Sequence, residues 1–395
     1  MRAIRQIYAV TWLNILNLPK RVASSTVAVI GVGAVVLVFA AMLSMAAGFE
    51  RTMVLAGSDD TAVILRAGSN SELSSGVSND QVLIVETAPG IQRDGDRPVM
   101  SAEMFVVVDI KKKSNNLDAN VPFRGVQARA FDVRNDTRLV AGRMFEPGKN
   151  ELVVGRNAQS EFQGLELDAA IEFGRTEWRV VGVFDANGGV AESEVWTDVH
   201  VLQDAYRRGN SYQAIRARLD GPEGKSTLQA YLQNDPRIDV DVFTEREWYA
   251  SQSTATSGFI RALGYPITFL MAIGAVFGAL NSMYSSVSAR GTEIATLRAL
   301  GFGPISVLIS TVIESTLLAL IGGLVGGAIA YIVFNGFTVS TLTQESFSQV
   351  VFDFAVTSDL LAQGIVAALI IGFIGGLLPA IRAARMPVAQ ALREL

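Results

Sequence analysis

Four long apolar stretches constrain the fold of this 395-residue chain more than any other feature. A membrane-spanning helix needs about 20 apolar residues. The stretches cover residues 22–47, 259–283, 305–334 and 360–381, and Glu314 is the one acidic residue well inside any of them. With 50% hydrophobic and 18% charged residues, the chain is too apolar for an ordinary soluble protein. We therefore expect transmembrane helices at residues 22–48, 257–283, 305–335 and 359–381.

The polar residues divide into a basic side and an acidic side. Residues 49–256 carry 23 basic and 32 acidic side chains. The other side carries the acidic Glu293 and Glu394 against nine basic residues, namely Arg2, Arg5, Lys20, Arg21, Arg290, Arg298, Arg382, Arg385 and Arg393. Because Lys and Arg accumulate in cytoplasmic loops, both termini, the 284–304 loop and the 382–395 tail are expected in the cytoplasm. Residues 49–256 then form a large exterior domain, and 336–358 form an exterior loop.

The residues before the first span have a helical apolar pattern. It consists of Ile4, Ile7, Tyr8, Trp12, Ile15 and Leu16, with polar residues elsewhere around the helix. This pattern predicts that residues 1–21 contain an amphipathic helix lying in the cytoplasmic membrane interface. The alternative, in which the first span is a cleaved signal peptide, fits less well because such peptides have apolar runs of about 7 to 15 residues.

The large exterior domain shows a repeated strand and helix pattern. Strands are predicted at 61–66, 99–110, 212–219 and 240–243, and helices at about 79–88 and 225–233. Two such βαβ halves form a ferredoxin-like split βαβ subdomain. The intervening residues, about 118–206, read as an inserted β-rich subdomain, with a hairpin from 170–173 to 178–184 around the turn at Gly174. The expected fold class is thus an α+β membrane protein with a four-helix transmembrane domain.

Composition and motifs argue against catalysis by this chain. It has no cysteine and a single histidine, His200, which excludes thiol nucleophiles and cysteine- or histidine-rich metal sites. Residues 221–226 end like a phosphate-binding loop, but Leu219 stands where that loop needs a glycine. We read this segment as a turn followed by a helix start. With a net charge of −5, nothing favours nucleic-acid binding, and we predict no catalytic or metal site.

The short loop at 284–304 is the most informative segment. Every residue from 293 to 300 is compatible with a helix, and Ile294, Leu297 and Leu300 recur at a spacing of three. Gly301 and Pro304 then end this turn and lead into the third span. The pattern predicts a small amphipathic helix held against the membrane face. On physical grounds it is either a plain connector or a docking surface for a cytoplasmic partner.

Specific motifs resemble a known transporter family. Arg290-x-x-Glu293-Ile294-x-x-x-Arg298-Ala299-Leu300-Gly301, the closing segment 376–393, and the exterior elements at 142–145, 151–155 and 180–183 are similar to the FtsX-like/MacB-like ABC-transporter permeases. The resemblance covers nearly the whole chain, including a MacB-like periplasmic domain at 49–256. Ala295 and Thr292 depart from residues common in the family, and both are compatible with a helix.

The resemblance implies partners and a coupling site. A pair of separate cytoplasmic ABC ATPase subunits would bind ATP and Mg²⁺, and this chain would bind no cofactor itself. The ATPase-coupling residues would be Arg290, Glu293, Ile294, Leu297, Arg298, Ala299, Leu300 and Gly301. A second permease copy or a paralogue is also implied, in contact with membrane lipid of the bacterial inner membrane. Whether a periplasmic adaptor and an outer-membrane channel take part stays open.

Small residues mark the helix packing inside the membrane. Glycines at a spacing of four let helices approach closely. They are Gly274 and Gly278 in the second span, Gly322, Gly323, Gly326 and Gly327 in the third, and Gly372 and Gly376 in the fourth. Glu314 lies deep in the third span, where an ionisable group is costly. A buried hydrogen bond to a neighbouring helix is preferred for it over a relay role.

The resemblance and the few charges inside the spans suggest mechanotransmission. ATP binding by a partner would move the 293–301 loop, and the packed helices would pass this motion to the periplasmic domain. The expected function is the permease subunit of an ATP-driven exporter or extractor. The alternative is an FtsX-like regulator that activates a cell-wall hydrolase. A sensor receptor fits less well because the chain offers only a short cytoplasmic loop and tail.

Overall fold

The computed structural model describes residues 2–17, 22–55, 57–343 and 348–387. Within these ranges the helices are α1 (Arg2–Asn17), α2 (Val22–Leu55), α3 (Asn79–Thr87), α4 (Ala130–Val133), α5 (Arg156–Glu161), α6 (Val199–Ala205), α7 (Gly224–Gln233), α8 (Glu245–Ala289), α9 (Gly291–Ala299), α10 (Pro304–Phe334) and α11 (Ser358–Arg385). The strands are β1 (Thr61–Arg66), β2 (Val77–Ser78), β3 (Arg93–Asp94), β4 (Arg97–Pro98), β5 (Met100–Lys111), β6 (Asp118–Val126), β7 (Arg138–Gly142), β8 (Glu151–Gly155), β9 (Ala170–Phe173), β10 (Thr176–Asp185), β11 (Val195–Asp198), β12 (Ser211–Tyr212), β13 (Ala214–Arg218), β14 (Val240–Thr244), β15 (Thr338–Leu342) and β16 (Gln349–Asp353).

The chain forms two compact units. The helical unit consists of Met1–Ala47, Phe259–Phe337 and Phe354–Leu395, and the sheet unit consists of Gly48–Gly258 and Thr338–Asp353. Four helices in the described ranges are long and apolar enough to cross a membrane, namely Ser25–Val54 within α2, and α8, α10 and α11. The predicted fold class, with four apolar helices and a large α+β domain, is confirmed.

The helix α8 is longer than the apolar run it contains. It has 45 residues and begins at Glu245, in the sheet unit. A reciprocal cap explains this start: the Glu247 backbone N–H donates to Thr244 Oγ1 at 3.2 Å, and the Thr244 N–H donates to Glu247 Oε2 at 2.8 Å. The polar residues that follow contain no proline before Pro266, so the helix continues unbroken into the apolar run.

A ferredoxin-like arrangement forms one half of the sheet unit. Its strands follow the order β14-β1-β13-β5, and each neighbouring pair is antiparallel. The helix α3 links β1 to the strands that lead to β5, and α7 links β13 to β14. The side chain of Ser78 caps α3, and Gln81 caps in return. Gly221 has a φ of +75° just before α7 begins, so residues 221–226 form the predicted turn and helix start.

The β-rich insert continues the same sheet through β5. This 12-residue strand pairs with β13 near its start and with β6 from Met104 to Lys111. The insert then adds β6, β11, β8, β10 and β7 in that order, and β9 pairs with β10 as the predicted hairpin around Gly174. The insert is therefore β-rich as expected, and it shares one hydrogen-bonded sheet with the ferredoxin-like half.

The segment at 336–358, expected as a loop, contains a hairpin. The strands β15 and β16 pair antiparallel in register from Thr338 with Asp353 to Leu342 with Gln349. Val351 is fully buried in the core of the sheet unit, and its N–H donates to Ser193 Oγ at 2.9 Å. Phe352 packs edge-on against Phe49, with ring centroids 5.4 Å apart. These contacts place the hairpin within the sheet unit.

Candidate functional site

A short helix lies between the second and third spans. We call residues 290–303 the interhelix segment; it contains α9 and the turn before α10. The helix α9 has no glycine or proline after its first residue, and it ends where Gly301 adopts a φ of +94°. A residue with a side chain is strained in this conformation, so glycine ends the helix here. Pro304 then occupies the first turn of α10.

Arg290, just before α9, is buried and bonds to three other side chains. Its Nη1 donates to Glu314 Oε2 on α10 at 2.8 Å, and its Nε donates to Glu293 at 3.3 Å. Its Nη2 donates to Asn14 Oδ1 on α1. Arg290 is 6% exposed and Glu314 is 2% exposed. Since a charge deep in a span is costly, each group neutralises the other, and the sequence-predicted coupling residue Arg290 is joined to the packing residue Glu314.

Arg298 ties the other end of α9 to α11. Its Nη1 donates to the backbone oxygens of Ala384 at 3.1 Å and Met386 at 2.6 Å. The last carbonyl groups of a helix lack partners within the helix and carry partial negative charge. The guanidinium group therefore caps the end of α11 and fixes the position of α9 against it.

Gln6 connects α1 to the turn after α9. Its Nε2 donates to the Gly301 oxygen at 3.2 Å, and its Oε1 accepts from the Gly303 N–H at 3.4 Å. Asn14 is 2% exposed on the same helix. Tyr8 and Trp12, by contrast, are 70% and 53% exposed. Gln6 and Asn14 of α1 thus bond to other parts of the chain, while Tyr8 and Trp12 are exposed; the interfacial position of residues 1–21 stays a prediction.

The two faces of α9 differ in burial. Ile294 is 4% exposed and packs in a cluster with Val287, Val307 and Ala383, and Leu297 is half-buried. Leu300 does not share this packed face and is 73% exposed. We call the exposed residues Thr292, Glu293, Thr296, Ala299 and Leu300 the outer face of α9. Gly301 is exposed beside it.

Six of the predicted packing glycines lie at helix contacts. A Cβ atom on Gly322 would lie 2.6 Å from the Val29 oxygen, and one on Gly326 would lie 2.2 Å from the Gly33 oxygen, so both face α2. On the other side of α10, Gly323 and Gly327 face Ala368 and Leu361 of α11. Gly372 and Gly376 of α11 both face Ser315, whose Oγ donates to the Gly372 oxygen at 2.6 Å.

Gly274 and Gly278 are placed differently. A Cβ atom on either glycine would meet no other atom within 4 Å in the described ranges. Phe277 beside them is 66% exposed, and so is Phe269, about one and a half turns before Gly274. The Cβ positions of both glycines therefore face open space within the described part of the chain.

The sheet unit contains a cluster of buried charges. Arg124 on β6 donates from Nε and Nη2 to the two oxygens of Glu194, each at 2.7 Å. Arg134 donates to both oxygens of Glu103 on β5, at 2.8 and 2.7 Å. Arg124 also donates to Glu103 at 3.1 Å. Planar guanidinium groups match carboxylates in this two-bond geometry, which makes such pairs strong and directional.

Arg216 extends the cluster to the start of α8. This arginine on β13 is fully buried. Its Nη1 donates to Glu245 at 2.6 Å, its Nη2 to Glu72 at 2.7 Å, and its Nε to Glu103 at 3.2 Å. Three arginines and four glutamates are thus joined in one network, which links both halves of the sheet to the first residue of α8.

Electrostatics hold Glu103 and Glu194 of this cluster in their ionised forms, whereas burial raises the pKa of Glu245. Burial raises the pKa of Glu103. The charges of Arg134, Arg124 and Arg216 together outweigh this effect and lower the pKa to about 2. The pKa of Glu194 is also lowered, because Arg124 outweighs the burial effect.

The cavity beside Arg124 and Glu194 has a volume of about 60 Å³, enough for a few waters and too small for a drug-sized substrate.

Comparisons with known proteins identify the family. A family model described as FtsX-like permease C-terminal matches residues 266–388, and one described as MacB-like periplasmic core domain matches residues 25–235, more than half of the chain. The chain belongs to the FtsX-like permeases with a MacB-like periplasmic core domain. The resemblance predicted from the motifs is confirmed, and most of the sheet unit, which we call the periplasmic core domain from here on, lies within the residues that the MacB-like model matches.

Individual relatives of this permease are distant. The macrolide export ATP-binding/permease protein MacB of Psychrobacter arcticus is 24% identical over 335 residues, which are 80% of this chain and 48% of that protein. The ABC transporter permease YknZ of Bacillus subtilis is 24% identical over 387 residues and 92% of each chain. The chain spans about half the length of the MacB relatives it matches. The solved periplasmic region of MacB from Actinobacillus actinomycetemcomitans aligns with a TM-score of 0.37 and 12% identity, covering 49% of this chain and 92% of that one.

Several contact residues had no sequence signal of their own. Gln6 and Asn14 were simply polar positions on a predicted interfacial helix, and the partners of Arg290 lie in distant parts of the chain. Gly33 in α2 has no second glycine four residues away, yet both Gly322 and Gly326 of α10 pack against it. The charges of the buried cluster come from separate segments of the chain, and no sequence motif marks them.

Proposed function

We propose that this chain is the permease subunit of an ATP-driven ABC exporter or extractor of the MacB/FtsX type. It passes conformational change from a separate cytoplasmic ATPase to the periplasmic domain by mechanotransmission. The observation that carries the proposal is the two-sided character of α9. On one side, Arg290 just before α9 bonds to α1 and α10, and Arg298 within α9 bonds to α11. On the other side, the outer face of α9, which ends at Leu300, is exposed.

The inner contacts supply the path for a displacement of α9. Movement of this helix pulls on α10 through the pair of Arg290 and Glu314, and on α11 through Arg298. Buried charged pairs keep their geometry because separating them leaves unpaired charges away from water. The helices therefore respond together rather than independently. A coupling mechanism needs such a physically connected element.

The path continues to the periplasmic core domain through α8. This helix is continuous from the interhelix segment to Glu245, which Arg216 of β13 holds at 2.6 Å. Near this start, Arg246 pairs with Asp59, a few residues after α2, at 2.9 Å. A displacement reaching α8 is expected to shift its first turn relative to the residues that follow α2.

Partners and orientation follow from the same account. Lys and Arg near the helix ends favour a cytoplasmic interhelix segment with both termini on that side, in a bacterial inner membrane. ATP and Mg²⁺ bind to the ATPase pair. The face of α8 that holds Gly274 and Gly278 is available to a second permease copy or paralogue.

Capture of the ATPase tests the docking surface. The chain is co-expressed with an ABC ATPase from its own genome and purified, as wild type and as Leu300→Glu. Leu117→Glu is the matched control, because Leu117 is 62% exposed in the sheet unit. Burying a leucine contributes about 1.5 to 3 kcal/mol, so Leu300→Glu is expected to weaken capture at least tenfold. Equal capture by both variants would contradict the proposal.

A further inference from the structure

A groove lies between the ends of α8 and α11. It has a volume of about 730 Å³, and its lining includes Tyr284, Leu378, Ile381, Arg382 and Arg385. This lining contains two arginines and no aspartate or glutamate. Within the described part of the chain, neither Arg382 nor Arg385 forms an ion pair with a carboxylate. The groove therefore carries a positive charge that the described residues do not neutralise.

The two arginines are in the last turn of a spanning helix. The helix α11 has 28 residues, so it is roughly 42 Å long at 1.5 Å per residue. The hydrocarbon core of a bilayer is about 30 Å thick. The last turn of α11 consequently extends beyond the hydrocarbon, into the headgroup region. Arg382 also lies over the ring of Tyr284, 5.6 Å from its centroid, and tyrosine is enriched at this depth.

The groove changes from apolar to polar along α11. Ile374 and Leu378 are each about half exposed, and their spacing of four places them on the face of the helix that leads to Arg382 and Arg385. Such a face suits an acyl chain, and the arginines at its end suit a phosphate group. A soluble acidic protein would match the charge, but it would leave the apolar part of this face uncovered.

We propose that this groove binds an anionic phospholipid. The phosphate group is held by Arg382 and Arg385, and the start of an acyl chain lies against Leu378. Basic pockets at the ends of spanning helices recognise acidic headgroups in this way. The inference does not depend on the proposed function, because it concerns lipid binding by this chain with or without an ATPase.

Native mass spectrometry of the purified full chain tests the site. The protein is incubated in detergent with phosphatidylglycerol or with phosphatidylcholine, and the retained lipid is counted. The wild type is expected to retain phosphatidylglycerol preferentially. Arg382→Gln/Arg385→Gln should retain roughly tenfold less. Arg207→Gln/Arg208→Gln removes the same charge from exposed positions in the sheet unit and should retain as much as the wild type.

Further arms keep the test decisive. Arg382→Lys/Arg385→Lys preserves the charge and should keep most of the retention, even if the glutamine variant folds poorly. Equal retention of the two lipids, or equal loss in both glutamine pairs, would overturn the proposal. Displacement of phosphatidylglycerol by inorganic phosphate alone would assign the arginines to free phosphate and also overturn it. Loss of ATPase capture with unchanged lipid retention would assign them to a protein partner, with the same consequence.

Discussion

Arg290 and Glu314 form a buried ion pair that joins the interhelix segment to α10. The Nη1 of Arg290 lies 2.8 Å from Oε2 of Glu314, and the two residues are 6% and 2% exposed. They come from two segments that the sequence assigned to different roles, one to partner docking and one to helix packing. The pair bonds the residue just before α9 to α10.

Removing one member of this pair should destabilise the protein. In Glu314→Leu the guanidinium group of Arg290 stays buried without its carboxylate, and a loss of about 3 to 5 kcal/mol is expected. The double variant Arg290→Met/Glu314→Leu should recover much of this loss, because no unpaired charge remains buried and the carboxylate of Glu293 is exposed to water. Thermal unfolding of the purified protein measures both. Losses that simply add in the double variant would show that the pair is not coupled.

The packing glycines should differ in their tolerance of a methyl group. In Gly326→Ala the new Cβ would lie 2.2 Å from the Gly33 oxygen, a backbone atom that cannot move aside alone. We expect a loss of about 3 kcal/mol. Gly31→Ala is the control, because its Cβ meets nothing within 4 Å in the described ranges. The unfolding midpoint should fall for Gly326→Ala and stay the same or rise slightly for Gly31→Ala; equal changes would contradict the packing.

Acid should weaken the periplasmic core domain through its buried cluster. The pKa of Glu103 is about 2 in the folded state, against 4.5 for an unperturbed glutamate. Because the folded pKa is the lower one, its stabilising contribution, about 3 kcal/mol, is complete above pH 5 and is lost as pH falls towards 2. Unfolding of the full chain, followed by fluorescence of the buried Trp178 and Trp196, measures this. Glu103→Gln should be less stable at neutral pH and less sensitive to acid; an unchanged acid dependence would exclude this role.

The hairpin β15–β16 should contribute to the stability of the periplasmic core domain. Phe352 is 1% exposed and packs against Phe49, so Phe352→Ala should cost about 3 to 5 kcal/mol. Leu342 on the same hairpin is 42% exposed, and Leu342→Ala serves as the control with little expected change. Denaturant unfolding compares the two. Similar small losses in both variants would mean that the hairpin does not pack as described.

Much of the fold was accessible from local sequence patterns. Apolar runs predicted the four long helices, and alternation predicted the strands β1, β5, β13 and β14, because both signals arise within one element. The hairpin at 338–353 lies in a segment expected as a loop, although Thr338-Val339-Ser340-Thr341-Leu342 contains several β-forming residues. Its burial depends on Ser193 and Phe49, which are far away in the sequence.

The site was less accessible because its partners are distant. Arg290 and Asn14 are 276 residues apart, and Arg216 and Glu72 are 144 residues apart. A single sequence carries no signal that pairs such groups. The glycine motifs show a related limit: Gly274 and Gly278 have the same spacing as Gly322 and Gly326, yet only the latter two contact another helix of the described chain.

A reversible crosslink near the start of α8 tests most directly whether the ATPase is coupled to the periplasmic domain through this helix. The chain has no cysteine, and the exposed pair of Asp59 and Arg246 lies 2.9 Å apart at its charged atoms. Asp59→Cys/Arg246→Cys is assembled with the ATPase and joined with a short, reducible bifunctional thiol reagent; the single-cysteine variants are the controls. We predict that joining lowers the ATPase rate severalfold and that reduction restores it. An unchanged ATPase rate in the joined complex would contradict transmission through α8.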